Sequence, residues 1–251
     1  MSGKPLLSGI EANMPYRSAA RTHIGTVRRR NEDAVLARPE IGLWAVADGA
    51  GGHQRGDYAS GRIVATLSEV DPTVSGLVLL DQVKARLADV NRELRAKAAS
   101  IGPNALIGST VAVLLIFGGE SYCLWAGDSR FYRMCGGELR QLSRDQSHVQ
   151  NLVDRGEITP ETAAVHPLRN VLTNLVGGAD ELVLEERRDR LQTGDVLLLC
   201  SDGLNRAISN AEIAEILGGN SALTAADQLI VRALARGAAD NVNVVVIDYA
   251  A

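Results

Sequence analysis

Leu43-Trp44-Ala45-Val46-Ala47-Asp48-Gly49-Ala50-Gly51-Gly52-His53 is the stretch from which the rest of the chain can be read. Leu43 to Ala47 has the length and apolar composition of a buried strand. It stops abruptly at Asp48, and Gly49, Gly51 and Gly52 follow, residues that let a backbone turn and come close to a ligand. A carboxylate at a strand's end, beside such a loop, suits a metal or phosphate site. The same Asp-Gly pair is also ordinary turn punctuation. One stretch does not choose between the two; recurrence along the chain does.

Outward from it, Thr110–Phe117, Tyr122–Ala126 and Phe131–Met134 are strand-like runs in quick succession. Their links, Gly118-Gly119-Glu120-Ser121 and Gly127-Asp128-Ser129-Arg130, are long enough only for hairpins, so this part of the sheet is expected to be antiparallel. Further strands are predicted at Tyr16–Ile24, Glu138–Leu142, Val183–Arg187, Val196–Cys200 and Val242–Ile247. Helices are predicted from Asp57 to about Leu67 and from about Asp81 to Ala99, where Val83, Leu87, Val90 and Leu94 share a face. Two more follow, one capped by Asn210 and running through Leu217, the other over Ala222–Ala235. Asp71–Gly76 reads as a linker within the domain, and Ser143–Ala164 as a polar, broken helical excursion on the surface. Strand runs with helices grouped between them indicate an α+β fold, sheets central and helices outside. Residues 1–14 read as a loose tail and 15–251 as a single domain.

The chain has 251 residues, 46% hydrophobic and 22% charged, a globular composition. A net charge of −4, with Arg28-Arg29-Arg30 the one basic block, opposes a nucleic-acid partner. Cys123, Cys135 and Cys200 are spaced as reduced core thiols rather than as disulfides or a zinc site. Thr110–Phe117 is too short an apolar run to span a bilayer, and the N-terminus lacks the apolar core of a secretion signal. A cytoplasmic protein without a membrane partner is the expectation.

The plan of Asp48 recurs. Asp128, Asp202 and Asp240 also stand at the end or start of a strand-like run, with Asp33 in a related position. Asp48-Gly49, Gly127-Asp128 and Asp202-Gly203 each set glycine beside the acid. Clustered carboxylates resist ionisation unless a cation compensates. Mg²⁺ and Mn²⁺ prefer such oxygen ligands, so a shared metal site is favoured over unrelated turn residues. His23, His53, His148 and His166 lack the spacing of a zinc enzyme. Ser109, Ser129 and Ser201 do not sit in Gly-x-Ser-x-Gly.

Taken together, the pieces resemble the bacterial metal-dependent serine/threonine phosphatases of the protein phosphatase 2C (PPM) family, from about Arg17 to Tyr249. In family order they are Gly25-x-Val27-Arg28-x-x-Asn31-Glu32-Asp33, Val46-Ala47-Asp48-Gly49-x-Gly51-Gly52-His53 and Gly108-Ser109-Thr110. Gly127-Asp128-Ser129-Arg130, Asn170-Val171-Leu172-Thr173, Ser201-Asp202-Gly203-Leu204 and Asp240-Asn241-Val242 follow.

The resemblance implies a sandwich of two antiparallel β-sheets flanked by helices, α-β-β-α, with metals at one end. It implies that Asp33, Asp48, the Gly49 carbonyl, Asp202 and Asp240 hold two Mn²⁺ or Mg²⁺ ions, Asp48 bridging, with Glu32 acting through water. Asp128, with Asp202, would match a third and weaker ion. Arg28 would bind substrate phosphate, although three adjacent arginines also fit a plain solvated surface. Residues 143–168 would be a mobile flap. The implied reaction is hydrolysis of phosphoserine and phosphothreonine on proteins by metal-activated water, without a phosphoenzyme intermediate. The implied setting is a monomer acting on substrates of a bacterial Ser/Thr kinase.

Two positions depart from the pattern. Ala50 stands where many eukaryotic members carry a histidine proposed as the leaving-group acid, which leaves a metal-bound water or His53 for that role. Arg206 stands where those members place a second aspartate of the third metal site. A two-metal nuclease is opposed by the acidic net charge and the motif order, and a catalytically dead phosphoprotein binder by the retained acids.

Overall fold

The computed structural model describes residues 14–50 and 55–250. Gly51, Gly52 and His53 of the glycine loop, and all but the last residue of the expected tail, lie outside the described residues.

Strand β1 (Tyr16–His23) is followed by β2 (Asp33–Arg38), β3 (Leu43–Ala50), helix α1 (Gly56–Ser68) and helix α2 (Gly76–Ala99). Then come β4 (Gly108–Ser109), β5 (Val111–Phe117), β6 (Glu120–Ala126), β7 (Arg130–Cys135) and β8 (Glu138–Gln141). Short helices α3 (His148–Asp154) and α4 (Pro160–Val165) precede β9 (Glu185–Arg190) and β10 (Val196–Cys200). Helices α5 (Asp202–Ala207), α6 (Asn210–Gly219) and α7 (Ala222–Ala235) lead to β11 (Val242–Tyr249).

The strands form two antiparallel sheets, ordered β1-β11-β10-β7-β8 and β2-β3-β5-β6-β9, with β4 paired to the end of β3. The period-two alternation of a strand decides the layers. On β3, Leu43, Ala45 and Ala47 pack with Ile63, Leu67, Val83 and Leu87 of α1 and α2. The alternate Trp44 and Val46 pack instead with Leu197, Leu199, Val245 and Ile247 of the other sheet. On β11, Val242, Val244 and Val246 turn outward to Leu204, Ile213, Leu217 and Leu229 of α5, α6 and α7. The result is the α-β-β-α sandwich that the motifs implied.

Register brings the acids to one end. Asp33 and Asp48 are direct partners across β2 and β3. Across β10 and β11, Cys200 faces Val244, so the residues just beyond Cys200 and just before Val242 leave the sheet on the same side.

Several boundaries differ from expectation. The short Ala34-Val35-Leu36-Ala37 run carries too little pattern to stand out, yet it completes β2 against β3. Helix α2 begins at Gly76 after Ser75, inside the expected linker. The expected strand at Val183–Arg187 is Glu185–Arg190, a charged edge strand, a composition that discourages pairing with other chains. Ser209, not Asn210, caps α6, through a capping box with Glu212. Ser143–Ala164 is not wholly a surface excursion, because Ser143, Gln146, Ser147 and Val149 are buried. Gln146 explains this: its side chain accepts from the Gly127 amide (2.8 Å) and Asn174 (2.9 Å) and donates to Glu185 (2.9 Å). All three cysteines are free, but only Cys123 and Cys200 are core thiols; Cys135 is half-buried. Among the described residues no helix is long and apolar enough to cross a membrane.

Candidate metal centre

Two glycines let the strand ends approach. A Cβ on Gly49 would lie 2.3 Å from the Gly56 carbonyl carbon and 2.5 Å from the Glu32 carbonyl oxygen. Only a glycine lets the start of α1, the end of β3 and the segment before β2 meet there. A Cβ on Gly203 would lie 1.9 Å from the Asn241 carbonyl oxygen, so glycine lets the start of α5 press on the segment entering β11. These glycines serve close approach of backbone to backbone, which is what carries Asp202 toward Asp240.

Asn241 ties the same region from the other side. Its side-chain nitrogen donates to the carbonyls of Ile24 (2.9 Å) and Arg30 (3.0 Å), and its oxygen accepts from the Glu32 amide (2.8 Å). The Arg28 loop is thereby fastened to the residue following Asp240. On the opposite flank, the Asp48 amide donates to Thr110 Oγ1 (3.2 Å), and the Asp48 carbonyl accepts from the Thr110 amide (2.8 Å) and Ser109 Oγ (2.9 Å). Thr110 Oγ1 also meets Ser129 Oγ at 2.7 Å, beside Asp128.

Asp33, Asp48, Asp128, Asp202 and Asp240 are thus gathered at one end of the sandwich. Asp48 is the hub, hydrogen-bonded to both Asp33 and Asp202. Burial, then the charges of Asp33, Asp202, Asp128 and Asp240, hold Asp48 well above the usual carboxylate range. Burial pushes Asp33 up to about 7, with Asp202 and Asp240 adding to it and hydrogen bonds from Ser201 and Asp48 opposing. Burial and Asp202 push Asp128 up to about 8, against Arg206. Asp202 is raised by burial and by Asp240, again against Arg206. Asp33 and Asp48 keep some exposed surface as residues. Desolvation nonetheless leads because the carboxyls themselves are enclosed, as the buried Asp33 Oδ2 attests.

Two basic residues answer this charge. Arg28 Nη2 lies 2.7 Å from Asp240 Oδ2, and that hydrogen bond, then the Asp240 charge, raises the guanidinium pKa. Arg206 Nη2 lies 2.6 Å from Asp202 Oδ2 and 3.4 Å from Asp128 Oδ2. Arg130 does not join them; its fork is taken by Asp145, at 2.9 Å from Nε and 2.7 Å from Nη2.

Asp33 Oδ2 and Asp202 Oδ1 are buried without a hydrogen-bond partner. Buried carboxylate oxygens are rarely left so, and two of them flanking the Asp48 hub fit a divalent cation. Among the described residues, no three acidic, histidine or cysteine side chains are placed to hold one metal ion together. A Mg²⁺-type ion needs none, since it keeps several waters and takes one or two carboxylates.

A cleft of ≈ 910 Å³ opens over the cluster, lined by Arg28, Asp128, Asp202 and Asp240 and, across from them, by Val149, Val153 and Ala163 of α3 and α4. Glu32 is placed beside it by its backbone: its carbonyl accepts from the Gly49 amide (3.1 Å) and Ser60 Oγ (2.6 Å). Ser201, Thr110 and Asn241 carry no charge and stood in the motifs without a role. Their signal was a hydrogen-bonding side chain directly beside an acid, or at the edge of an apolar run.

Residues 21–236 match the family profile described as Protein phosphatase 2C. The serine/threonine protein phosphatase PstP of Mycobacterium tuberculosis is 39% identical over 233 residues, 92% of this chain; the chain spans 45% of that protein's length. PppA of Pseudomonas aeruginosa superposes with a TM-score of 0.86 at 41% identity, covering 93% of this chain and 97% of that one. The catalytic domain of PstP in complex with two manganese ions superposes with a TM-score of 0.84 at 36% identity, covering 94% and 99%. With the sandwich, the gathered aspartates and these likenesses together, the chain belongs to the protein phosphatase 2C family.

Proposed function

We propose that this end of the sandwich hydrolyses phosphoserine and phosphothreonine esters on proteins, with Mn²⁺ or Mg²⁺ bound in the carboxylate cluster. The observation that carries the reading is the pair of unpartnered buried oxygens, Asp33 Oδ2 and Asp202 Oδ1, in the carboxylate cluster whose Asp202 and Asp240 line the cleft. Asp33, Asp48, Asp202, Asp240 and the Gly49 carbonyl would hold two cations, with Glu32 acting through water. Bound there, the cations supply Lewis acidity, which acidifies water and offsets charge on a phosphoryl group.

The chain's own residues supply the rest. Arg28 lines the cleft and uses Nη2 on Asp240, so other N–H groups of its planar fork remain to grip phosphoryl oxygens. Water attacks phosphorus directly in this reading, with no phosphoenzyme. Nearby side chains support that. Burial pushes the Cys200 thiol up to about 12, which keeps it protonated. Ser201 Oγ is buried, accepts from the Asn243 amide (3.0 Å) and bonds Asp33. Residues 143–168 act as the flap, with α3 and α4 bordering the bound peptide and the Gln146 hydrogen bonds anchoring the base. The substrates in this reading are proteins phosphorylated by a bacterial Ser/Thr kinase, and the enzyme is a cytoplasmic monomer.

The test is phosphate release from phosphoserine and phosphothreonine peptides, with duplex DNA in parallel, each with Mn²⁺ and then with EDTA. Mn²⁺-dependent release from the peptides and an intact DNA strand is the expected result. Cleavage of DNA, or no release from either peptide, overturns the reading.

A further inference from the structure

We propose that the Arg206 guanidinium is a built-in cation that fills the position between Asp128 and Asp202, so that the chain takes two divalent ions and not three. The proposal rests on the two-cation reading above. Asp128 and Asp202 are both buried, 7% and 8% exposed, and their Oδ2 atoms converge on one nitrogen, Arg206 Nη2, at 3.4 and 2.6 Å. Two buried carboxylates facing one another need a positive charge between them. Two carboxylates with water are also enough to hold a Mg²⁺-type ion, so the pair would form a cation site of its own if Arg206 were elsewhere.

Helix geometry fixes Arg206 in place. It lies four residues beyond Asp202 on α5, one turn along the same face, so the pair forms without reordering the backbone. The nearby alternative, Arg130, is bound through Nε and Nη2 to Asp145. Asp145 in turn faces Asp128 and Asp202 as a further acid already matched by its own arginine. Asp202 is consequently divided between two tasks. Its Oδ2 serves Arg206, and its Oδ1 stays buried without a hydrogen-bond partner. Asp128 has no such division and is withdrawn from metal binding by the arginine.

Equilibrium dialysis of the metal-stripped full chain against rising Mn²⁺, with free Mn²⁺ read by electron paramagnetic resonance, counts bound ions without any turnover. Wild type should saturate at two equivalents. Arg206→Gln removes the charge and should gain a third, weaker equivalent; Arg206→Asp adds a ligand and should bind that third ion more tightly. Three equivalents in wild type overturn the proposal, as do two equivalents in all three proteins, and both leave the two-cation reading standing. No bound Mn²⁺ in wild type overturns that reading and this one with it. Far-ultraviolet circular dichroism of each variant confirms that the proteins compared are folded.

Discussion

Strand β3 has two ends built to opposite rules. From Leu43 to Ala47 every side chain is buried among apolar neighbours, and Trp44 Nε1 donates to Ser18 Oγ at 3.0 Å, so no polar group is left over. From Asp48 onward the same strand carries an enclosed carboxylate that those of Asp33, Asp202, Asp128 and Asp240 repel, in a cluster with oxygens left without partners. The first half gives stability, and the second half stores electrostatic strain that a bound cation would relieve. Functional sites commonly sit at such costs. The contrast teaches that burial alone does not say what a residue is for; satisfaction of its polar atoms does.

The largest effect should come from the strained end. Asp48→Asn removes the hub, and we expect loss of Mn²⁺ binding and of nearly all turnover. The chelated variant should nonetheless melt at a higher temperature than chelated wild type, because a neutral amide ends the repulsion with Asp33 and Asp202. Calorimetry with and without Mn²⁺ checks both; a lower melting temperature for the chelated variant would break the contrast.

At the other end, Trp44→Ala should cost about 3–5 kcal/mol of stability, the usual range for deleting a large core aromatic. Denaturant unfolding of the chelated protein measures this. The loss should be the same at every Mn²⁺ concentration once binding linkage is subtracted. A loss well under this range would mean that the inter-sheet layer is not what holds β3.

Arg28→Ala sits between the two in kind, since it removes a contact to substrate without touching the core. Losing a charge-assisted hydrogen bond costs about 1.5–3 kcal/mol, so kcat/KM should fall roughly tenfold to a hundredfold. Arg29→Ala is the control, and equal kinetics for the two variants would return Arg28 to the role of a surface charge.

The smallest effect is on pH dependence. Burial pushes Asp33 up to about 7 and Asp128 up to about 8 in the fold, against 3.8 as their ordinary value. Between those limits the folded chain binds more protons than the unfolded chain, so the stability of the metal-free protein should fall as pH rises from about 4 to about 8. Thermal melts in EDTA across this range should show a declining midpoint. In Arg206→Gln the decline should be steeper, because Arg206 opposes the upward shift of Asp128 and Asp202. A midpoint that rises with pH would remove the strain assigned to this end.

The same contrast explains what could be read from sequence. The apolar half of β3 and the runs of β5, β6, β10 and β11 announce themselves by composition, because a strand buried on both faces must be apolar throughout. The acids were legible because aspartate beside glycine recurs at strand ends. β2 was not, since the short Ala34–Ala37 run has little pattern of its own and gains its place by pairing Asp33 with Asp48. Nor was the inward turn of Arg206, which depends on two acids far apart in sequence converging on it. Asn241 illustrates the limit: its bonds to Ile24, Arg30 and Glu32 span more than two hundred residues, and no local spacing encodes them.

The central claim, that the unsatisfied end of β3 binds cations and thereby drives phosphoester hydrolysis, is tested by one titration. Metal-stripped protein is assayed for phosphate release from a phosphothreonine peptide as Mn²⁺ is returned, with Asp48→Asn alongside. The account predicts no release by the stripped wild type, recovery as Mn²⁺ rises, and no recovery by the variant at any concentration. Full release by exhaustively chelated wild type would contradict it.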